Sequence, residues 1–199
     1  MVLELNLSLR YHFYYNGEFN MAKKVLVLSG SPRRGGNSDL LCDQFIFGAE
    51  EAGNQAEKIF LRDKEINYCV ACDSCKRNGD ICNHNDDMVE VLDKMIDADV
   101  IVMATPVYFY TMDAQMKTLI DRTYSRYMEI KNKEFYFIAT AAVTRKQALE
   151  RTIDGFRGFT SVLTGAKEKG IIYGTGAWNV GDIKGSSAMT EAYEMGQAV

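Results

Sequence analysis

Two groups of residues in this chain have the types and spacing for chemistry. The first is Ser29-Gly30-Ser31-Pro32-Arg33-Arg34-Gly35-Gly36-Asn37-Ser38. It joins an apolar run, Val25 to Leu28, to a helical pattern that starts with Leu40, Leu41, Phe45 and Ile46. Small hydroxyls, an amide and a flexible backbone at a helix start suit an anion, because the first N–H groups of a helix are unpaired and carry partial positive charge. The bland alternative is a strand-to-helix turn capped by Ser38 or Asn37. Neither G-x-x-x-x-G-K-[ST] nor G-x-G-x-x-G occurs, which disfavours P-loop hydrolysis of ATP or GTP and a dinucleotide fingerprint.

The second group is Cys69, Cys72, Cys75 and Cys82, four of the five cysteines, spaced C-x₂-C-x₂-C-x₆-C. Such crowding argues for a local metal or redox site in a reducing cytoplasm over a secreted disulfide framework. Two close steps can place three thiolates on three corners of a cubane, with a looser step bringing the fourth. Zinc, free thiols and a disulfide remain open, although structural zinc usually separates two C-x₂-C pairs by a longer span. Cys42, alone on a helix, reads as a buried small hydrophobe. His12 and His84 suggest no acid-base pair, and Asp86 and Asp87 read as helix caps over a metal pair. No hydrolase constellation is apparent.

The elements that must position these groups alternate. The apolar patterns predict strands at Val25 to Leu28, Ala56 to Leu61, Val100 to Ala104, Phe135 to Ala139 and Gly170 to Tyr173. Helices are expected over Ser38 to Ala52 with Gly53 as C-terminal cap, from Asp86 or Asp87 through Ile96, and around Met116 to Ile120. Two more are expected from about Arg145 to Leu163 and around Ser187 to Gln197. Five strand-helix alternations give an open, doubly wound parallel sheet, whose ligands bind beyond the carboxyl ends of the strands. The loops after the first, third and fourth strands are therefore the informative ones. A polar cysteine-rich insert at 62–86 is long enough to need a functional reason.

The 199 residues suit one domain at 21–199, preceded by an extension at 1–20 that is read as a strand or an upstream start-site choice, with Met21 a second start. No signal peptide or membrane-length apolar run is recognised. A net charge of −4 gives no global field for nucleic acid or an anionic membrane, so a small-molecule ligand is the better expectation.

The decamer at Ser29 to Ser38, T-P-V-Y-F-Y-T-M-D-A-Q-M-K at Thr105 to Lys117, and the cysteine insert followed by Asp86-Asp87-Met88 resemble the flavodoxin-like NAD(P)H-dependent FMN reductases. The iron-sulfur flavoprotein branch is the most similar. The resemblance implies a flavodoxin-like fold and an FMN phosphate held by Ser29, Ser31, Arg33, Asn37 and Ser38. Arg34 is left open, as a contact for a pyridine nucleotide or a solvated loop charge, and the latter is the alternative for Arg33 too. It further implies that Pro106, Val107, Tyr108, Phe109 and Tyr110 lie along the isoalloxazine ring, with exposed backbone N–H groups on its polar edge. Those aromatics packing in the core or a subunit seam is the alternative. Ala141 belongs to a loop that closes over the ring in relatives, though Ala139 to Thr144 departs from the Gly/Ser-rich sequence expected there.

Cys69, Cys72, Cys75 and Cys82 would hold a [4Fe-4S] cluster. The implied activity is cytoplasmic transfer of a hydride from NAD(P)H through FMN to a quinone, flavin, metal or other acceptor, with no residue assigned as acid, base or nucleophile. The alternatives are a ferredoxin-linked cluster protein and a non-enzymatic FMN shuttle. Relatives imply a homodimer or homotetramer.

Overall fold

The computed structural model describes residues 21–199 together with two short strands, β1 (Tyr14–Tyr15) and β2 (Glu18–Phe19), which pair antiparallel with each other. The rest of the 1–20 extension lies outside the described residues. The main sheet has five strands: β3 (Lys24–Ser29), β4 (Gln55–Phe60), β5 (Val100–Pro106), β6 (Glu134–Thr140) and β7 (Lys167–Gly174). All pairings are parallel and the spatial order is β4-β3-β5-β6-β7. Strand order reverses between β3 and β5, so that junction is where a ligand crevice opens.

The three central strands are continuous apolar runs because both of their faces are covered. Leu26, Leu28, Ile101, Met103, Phe135 and Phe137 point to one side. There they meet α3 (Met88–Asp97), α4 (Ala114–Arg122) and α5 (Glu150–Thr160) through Val91, Met95, Met116, Leu119, Ile153 and Phe156. Val25, Val27, Val100, Val102, Tyr136 and Ile138 point the other way, against α1 (Asn37–Glu51) and α6 (Ser187–Gln197). Burying each such side chain stabilises the fold by about 1.5–3 kcal/mol. Cys42 belongs to this second layer, fully buried, and burial pushes its thiol well up from the ordinary value.

Helix α1 ends as the sequence requires. Gly53, at φ +88°, donates to the Glu50 carbonyl while Asn54 donates to Ala49, the paired bonds of a Schellman cap. Its outer face crosses α6 at backbone contact: a methyl on Gly48 would meet the Tyr193 carbonyl, and one on Gly196 the Phe45 carbonyl.

Four local expectations are corrected. Helix α5 starts at Glu150, preceded by a 3-10 turn at Lys146–Ala148, and β7 starts at Lys167, three residues before the apolar run. The insert contains a 3-10 turn at Leu61–Asp63 and a short helix, α2 (Ser74–Arg77). Asp86 and Asp87 serve the insert more than they cap α3. Asp87 accepts the Glu65 N–H at 2.8 Å, and Asp86 accepts the Asn67 N–H at 3.0 Å as well as a weaker bond from Met88 at 3.2 Å.

Candidate functional site

At the carboxyl ends of β3, β5, β6 and β7 lies a cleft of about 200 Å³. Ser31, Arg33, Gly36, Asn37 and Ser38 line it from one loop, Pro106, Val107 and Tyr108 from a second, and Thr140, Ala141 and Ala142 from a third. A larger depression, about 500 Å³, sits at the opposite end of the strands among Lys24, Asp97, Asp99 and Glu134. The first is the better site, since it lies at the switch point and has an uncommitted helix start.

The N-cap of α1 is Gly36, which has no side chain to bond the first N–H groups, so neither Ser38 nor Asn37 performs the capping expected of an ordinary turn. The five polar residues expected at a phosphate divide by what already engages them. Ser29 is buried beneath the loop, its hydroxyl donating to Asp39 at 3.2 Å. The Ser31 hydroxyl folds its own turn, accepting from the Arg33 N–H at 3.1 Å. Asn37 clamps the loop after β7, donating to the Asn179 carbonyl at 2.8 Å and accepting from Gly181 N–H at 3.1 Å. Arg33 is exposed at the cleft. Ser38 is 1% exposed, and its hydroxyl oxygen has no partner. An orphaned buried hydroxyl beside a free helix N-terminus and a guanidinium fits the terminal phosphate of FMN.

One acid sits in this first turn. Asp39 accepts the Gly35 N–H at 2.9 Å and is neutralised by Lys58 at 2.8 Å, so it braces the loop instead of repelling an anion. Lys58 reaches Asp43 as well, at 2.5 Å. Arg34 is tied to Asp63 and lies over the Phe60 ring, 4.9 Å from its centroid, so it is anchored away from the cleft.

The second loop is a tight hairpin. Tyr108 and Thr111 exchange N–H to carbonyl bonds of 3.0 and 3.1 Å, leaving Phe109 and Tyr110 in the left-handed region at φ +49° and +66°. Two successive left-handed residues make a turn normally built from Asn and Gly, and each bulky residue there stores about 1–3 kcal/mol of strain. The hairpin points Phe109 entirely into solvent, at 100% exposure, so of the three aromatics only Tyr108 lines the cleft. The Val107 N–H is bonded to Thr140 at 2.7 Å and the Tyr108 N–H to Thr111. These two donors, expected to be exposed for the ring edge, are therefore already engaged.

Ala141 is fixed from both sides. Its N–H donates to Gly174, and its carbonyl accepts from Ala177 at 3.0 Å. That bond, with the Asn37 clamp, folds the loop after β7 over the cleft and adds Ala177, Trp178 and Val180 to the lining. Trp178 is 73% exposed. The signal the sequence offers for this loop is its lone Trp, just past the carboxyl end of a strand.

Beneath the hairpin, Asp113 is fully buried, with the Thr105 hydroxyl 2.9 Å from one carboxyl oxygen and the other oxygen unpartnered. Burial pushes its carboxyl up to about 7, against the opposing pull of the Thr105 bond.

The cysteines lie elsewhere. Cys69 and Cys72 are exposed, Cys82 is half-buried and Cys75 is buried. Among the described residues no three metal-ligating side chains gather into a centre, so in this arrangement the four thiols do not form a cluster cage. The Cys72 thiol is lowered, chiefly by hydrogen bonding with Ser74. The insert is held at both ends. Arg62 donates to the Pro32 carbonyl at 3.0 Å at its start. At its close, Arg122 of α4 bonds Asp86 at 2.6 and 3.0 Å, the Asn67 carbonyl at 2.6 Å and the Cys82 sulfur at 3.6 Å. The Arg122 and Asp86 side chains are 1% and 3% exposed. Burial alone would raise the Asp86 carboxyl, but the Arg122 bonds outweigh it and hold the group well below the usual carboxylate range.

Comparison with known proteins gives this geometry a context. The family model described as NADPH-dependent FMN reductase matches residues 23–165. An iron-sulfur flavoprotein of Methanocaldococcus jannaschii is 39% identical over 138 residues, 68% of this chain and 70% of its own length. An iron-sulfur flavoprotein of Methanosarcina thermophila is 39% identical over 100 residues, 50% of this chain and 52% of its own, so the chain spans about half of that relative. Among solved structures, an FMN-dependent NADH-azoreductase from Bacillus anthracis, in complex with FMN, superposes with a TM-score of 0.70 at 15% identity, over 88% of this chain and 98% of the other. At that identity the likeness establishes the flavodoxin-like fold.

Proposed function

The chain belongs to the NADPH-dependent FMN reductase family, whose members are NAD(P)H-dependent FMN oxidoreductases, and on that premise we propose that it takes a hydride from NAD(P)H and delivers the electrons to a quinone, flavin, metal or other small acceptor. FMN bound in the cleft would supply the ring that accepts a hydride and releases electrons. The observation that carries the reading is the unpartnered, buried Ser38 hydroxyl at a helix start that no side chain caps.

The chain's own part is to bind and orient. Ser38, Arg33 and the first N–H groups of α1 hold the phosphate, and Asp39 with Lys58 keeps their loop in place. Pro106, Val107 and Tyr108, with Ala141 and Ala142 on the adjoining loop, line the space for the ring. Trp178 adds an aromatic face to the lining. Ser29, Ser31 and Asn37 act on the cofactor through the loops they fix. Phe109, pointed fully into solvent, supports a homodimer or homotetramer with a seam beside the cleft, which sedimentation analysis would test. Steady-state oxidation of NAD(P)H by the FMN-loaded protein, with a quinone or ferric chelate as acceptor, tests the reading. Protein that neither binds FMN nor shows flavin absorbance when offered it overturns it.

A second reading is supported by the names of the relatives and by the C-x₂-C-x₂-C-x₆-C spacing. It is a ferredoxin-linked protein with a [4Fe-4S] cluster at Cys69, Cys72, Cys75 and Cys82. In the structure those thiols do not gather around a common point. Anaerobic isolation with iron and acid-labile sulfide assay decides it: fewer than about three irons per chain counts against a cubane.

A further inference from the structure

Next to the cleft is a second pocket, of about 390 Å³, lined by Tyr110, Arg145, Gln147, Ala148 and Arg151. We propose that it binds the 2′-phosphate on the adenosine ribose of NADPH and so selects NADPH over NADH. The proposal rests on the function inferred above and adds the residues that choose between the two nucleotides.

The two pockets draw lining residues from the same two loops. Tyr108, just before the two-residue turn, lines the cleft, and Tyr110, the second residue of that turn, lines the second pocket. Ala142 lines the cleft three residues before Arg145. A dinucleotide with its nicotinamide in the cleft would therefore cross this rim and reach the second pocket with its adenosine end.

The second pocket has the chemistry for a dianion. The Arg151 guanidinium lies 5.8 Å from the Tyr110 ring centroid, a stacking that holds a planar fork of donors in one orientation. Neither Arg145 nor Arg151 has an ion-pair partner among the described residues, whereas Arg34, Arg122, Arg126 and Arg157 all do. The acids nearby are turned elsewhere. Glu150 accepts from the Tyr173 hydroxyl at 2.8 Å and faces Arg157, which also takes Asp154 at 3.4 Å. Two unpaired guanidinium groups beside an amide side chain and an aromatic face suit a phosphate monoester, since arginine matches phosphate with paired, charge-assisted bonds. NADH carries a hydroxyl at that place and leaves both arginines without an anion.

Binding is the test, because it needs no turnover. Adenosine 2′,5′-bisphosphate and AMP are titrated calorimetrically into the FMN-loaded protein. The expected result is at least ~tenfold tighter binding of the bisphosphate, a difference that disappears in the R145Q/R151Q double variant. Both side chains are exposed, so folding of that variant is not at issue. Equal affinity for the two nucleotides in the wild type, or a preference that survives the double substitution, overturns the proposal. In turnover, the ratio of kcat/KM for NADPH to that for NADH should fall by a similar factor, while equal losses for both overturn the 2′-phosphate assignment. Wild-type protein that oxidises neither nucleotide counts against the reductase function, and the bisphosphate titration then still decides the pocket.

Discussion

Ser38 and Asp113 are each 1% exposed with one oxygen unpaired, and they ask for different partners. Ser38 faces the cleft, so its unmet bond is a ligand's to supply. Ser38→Ala should weaken FMN binding about tenfold, as expected for one hydrogen bond to a charged group, with little change in the thermal midpoint of the cofactor-free protein. Flavin fluorescence titration measures the first and calorimetry the second. Asp113 has no such outlet, and its burden depends on pH. Its folded value of about 7 lies above the ordinary 3.8, so the native state holds a proton that the unfolded state has released between those two values. Its contribution is absent below about pH 4, turns increasingly unfavourable as pH rises, and is fully unfavourable above 7. Asp113→Asn keeps an acceptor for Thr105 and cannot ionise. It should raise the midpoint at pH 8 by about 3 °C or more, with the gain fading toward pH 5.

Two elements depend on contacts that leave no room for change. The crossing of α1 over α6 brings backbone against backbone at Gly48 and Gly196. Gly48→Ala should cost about 1–3 kcal/mol in urea unfolding by forcing the helices apart, and should weaken FMN binding too, because the same helix presents its N-terminus to the cleft. The cysteine insert hangs on Arg122. Arg122→Ala strands a buried carboxylate at Asp86 and should cost about 3–5 kcal/mol, while Arg122→Met with Asp86→Leu should recover much of it. Chemical denaturation of the two variants checks this. Why α5 starts late is also an element-scale matter. Arg145 and Lys146 would place positive charge at a helix N-terminus, against the dipole, so the helix begins where Glu150 stands.

For the molecule as a whole, binding free energy is folding free energy. Saturation with FMN at about a hundred times its Kd adds about 2.7 kcal/mol, so a midpoint rise of roughly 5–10 °C is expected by scanning calorimetry. How much was legible follows from where information is stored. The sheet was readable because Val25 to Leu28 and Val100 to Ala104 are buried on both faces, which leaves an unbroken apolar run. The start of β7 was hidden because Lys167, Glu168 and Lys169 lie on an exposed edge strand. The types of Ser38 and Arg33 suggested anion donors and the fold sets both at the cleft, but the side-chain work of Ser31 and Asn37 depends on partners set by the fold. The Phe109–Tyr110 turn carries no Gly or Asn to announce it, and the role of Trp178 depends on a clamp reaching across the fold from Asn37.

That clamp has a temporal consequence. Asn37 grips Asn179 and Gly181, and α1 is backed by α6, whose last residue is Gln197. On the ribosome, therefore, the loop at Ser29 to Ser38 emerges early and waits. Its lid is absent until residue 181 has left the exit tunnel, and the outer face of its helix stays bare until α6 follows. A half-made chain already displays the polar decamer without the cleft around it, so the cleft is complete only near the end of synthesis.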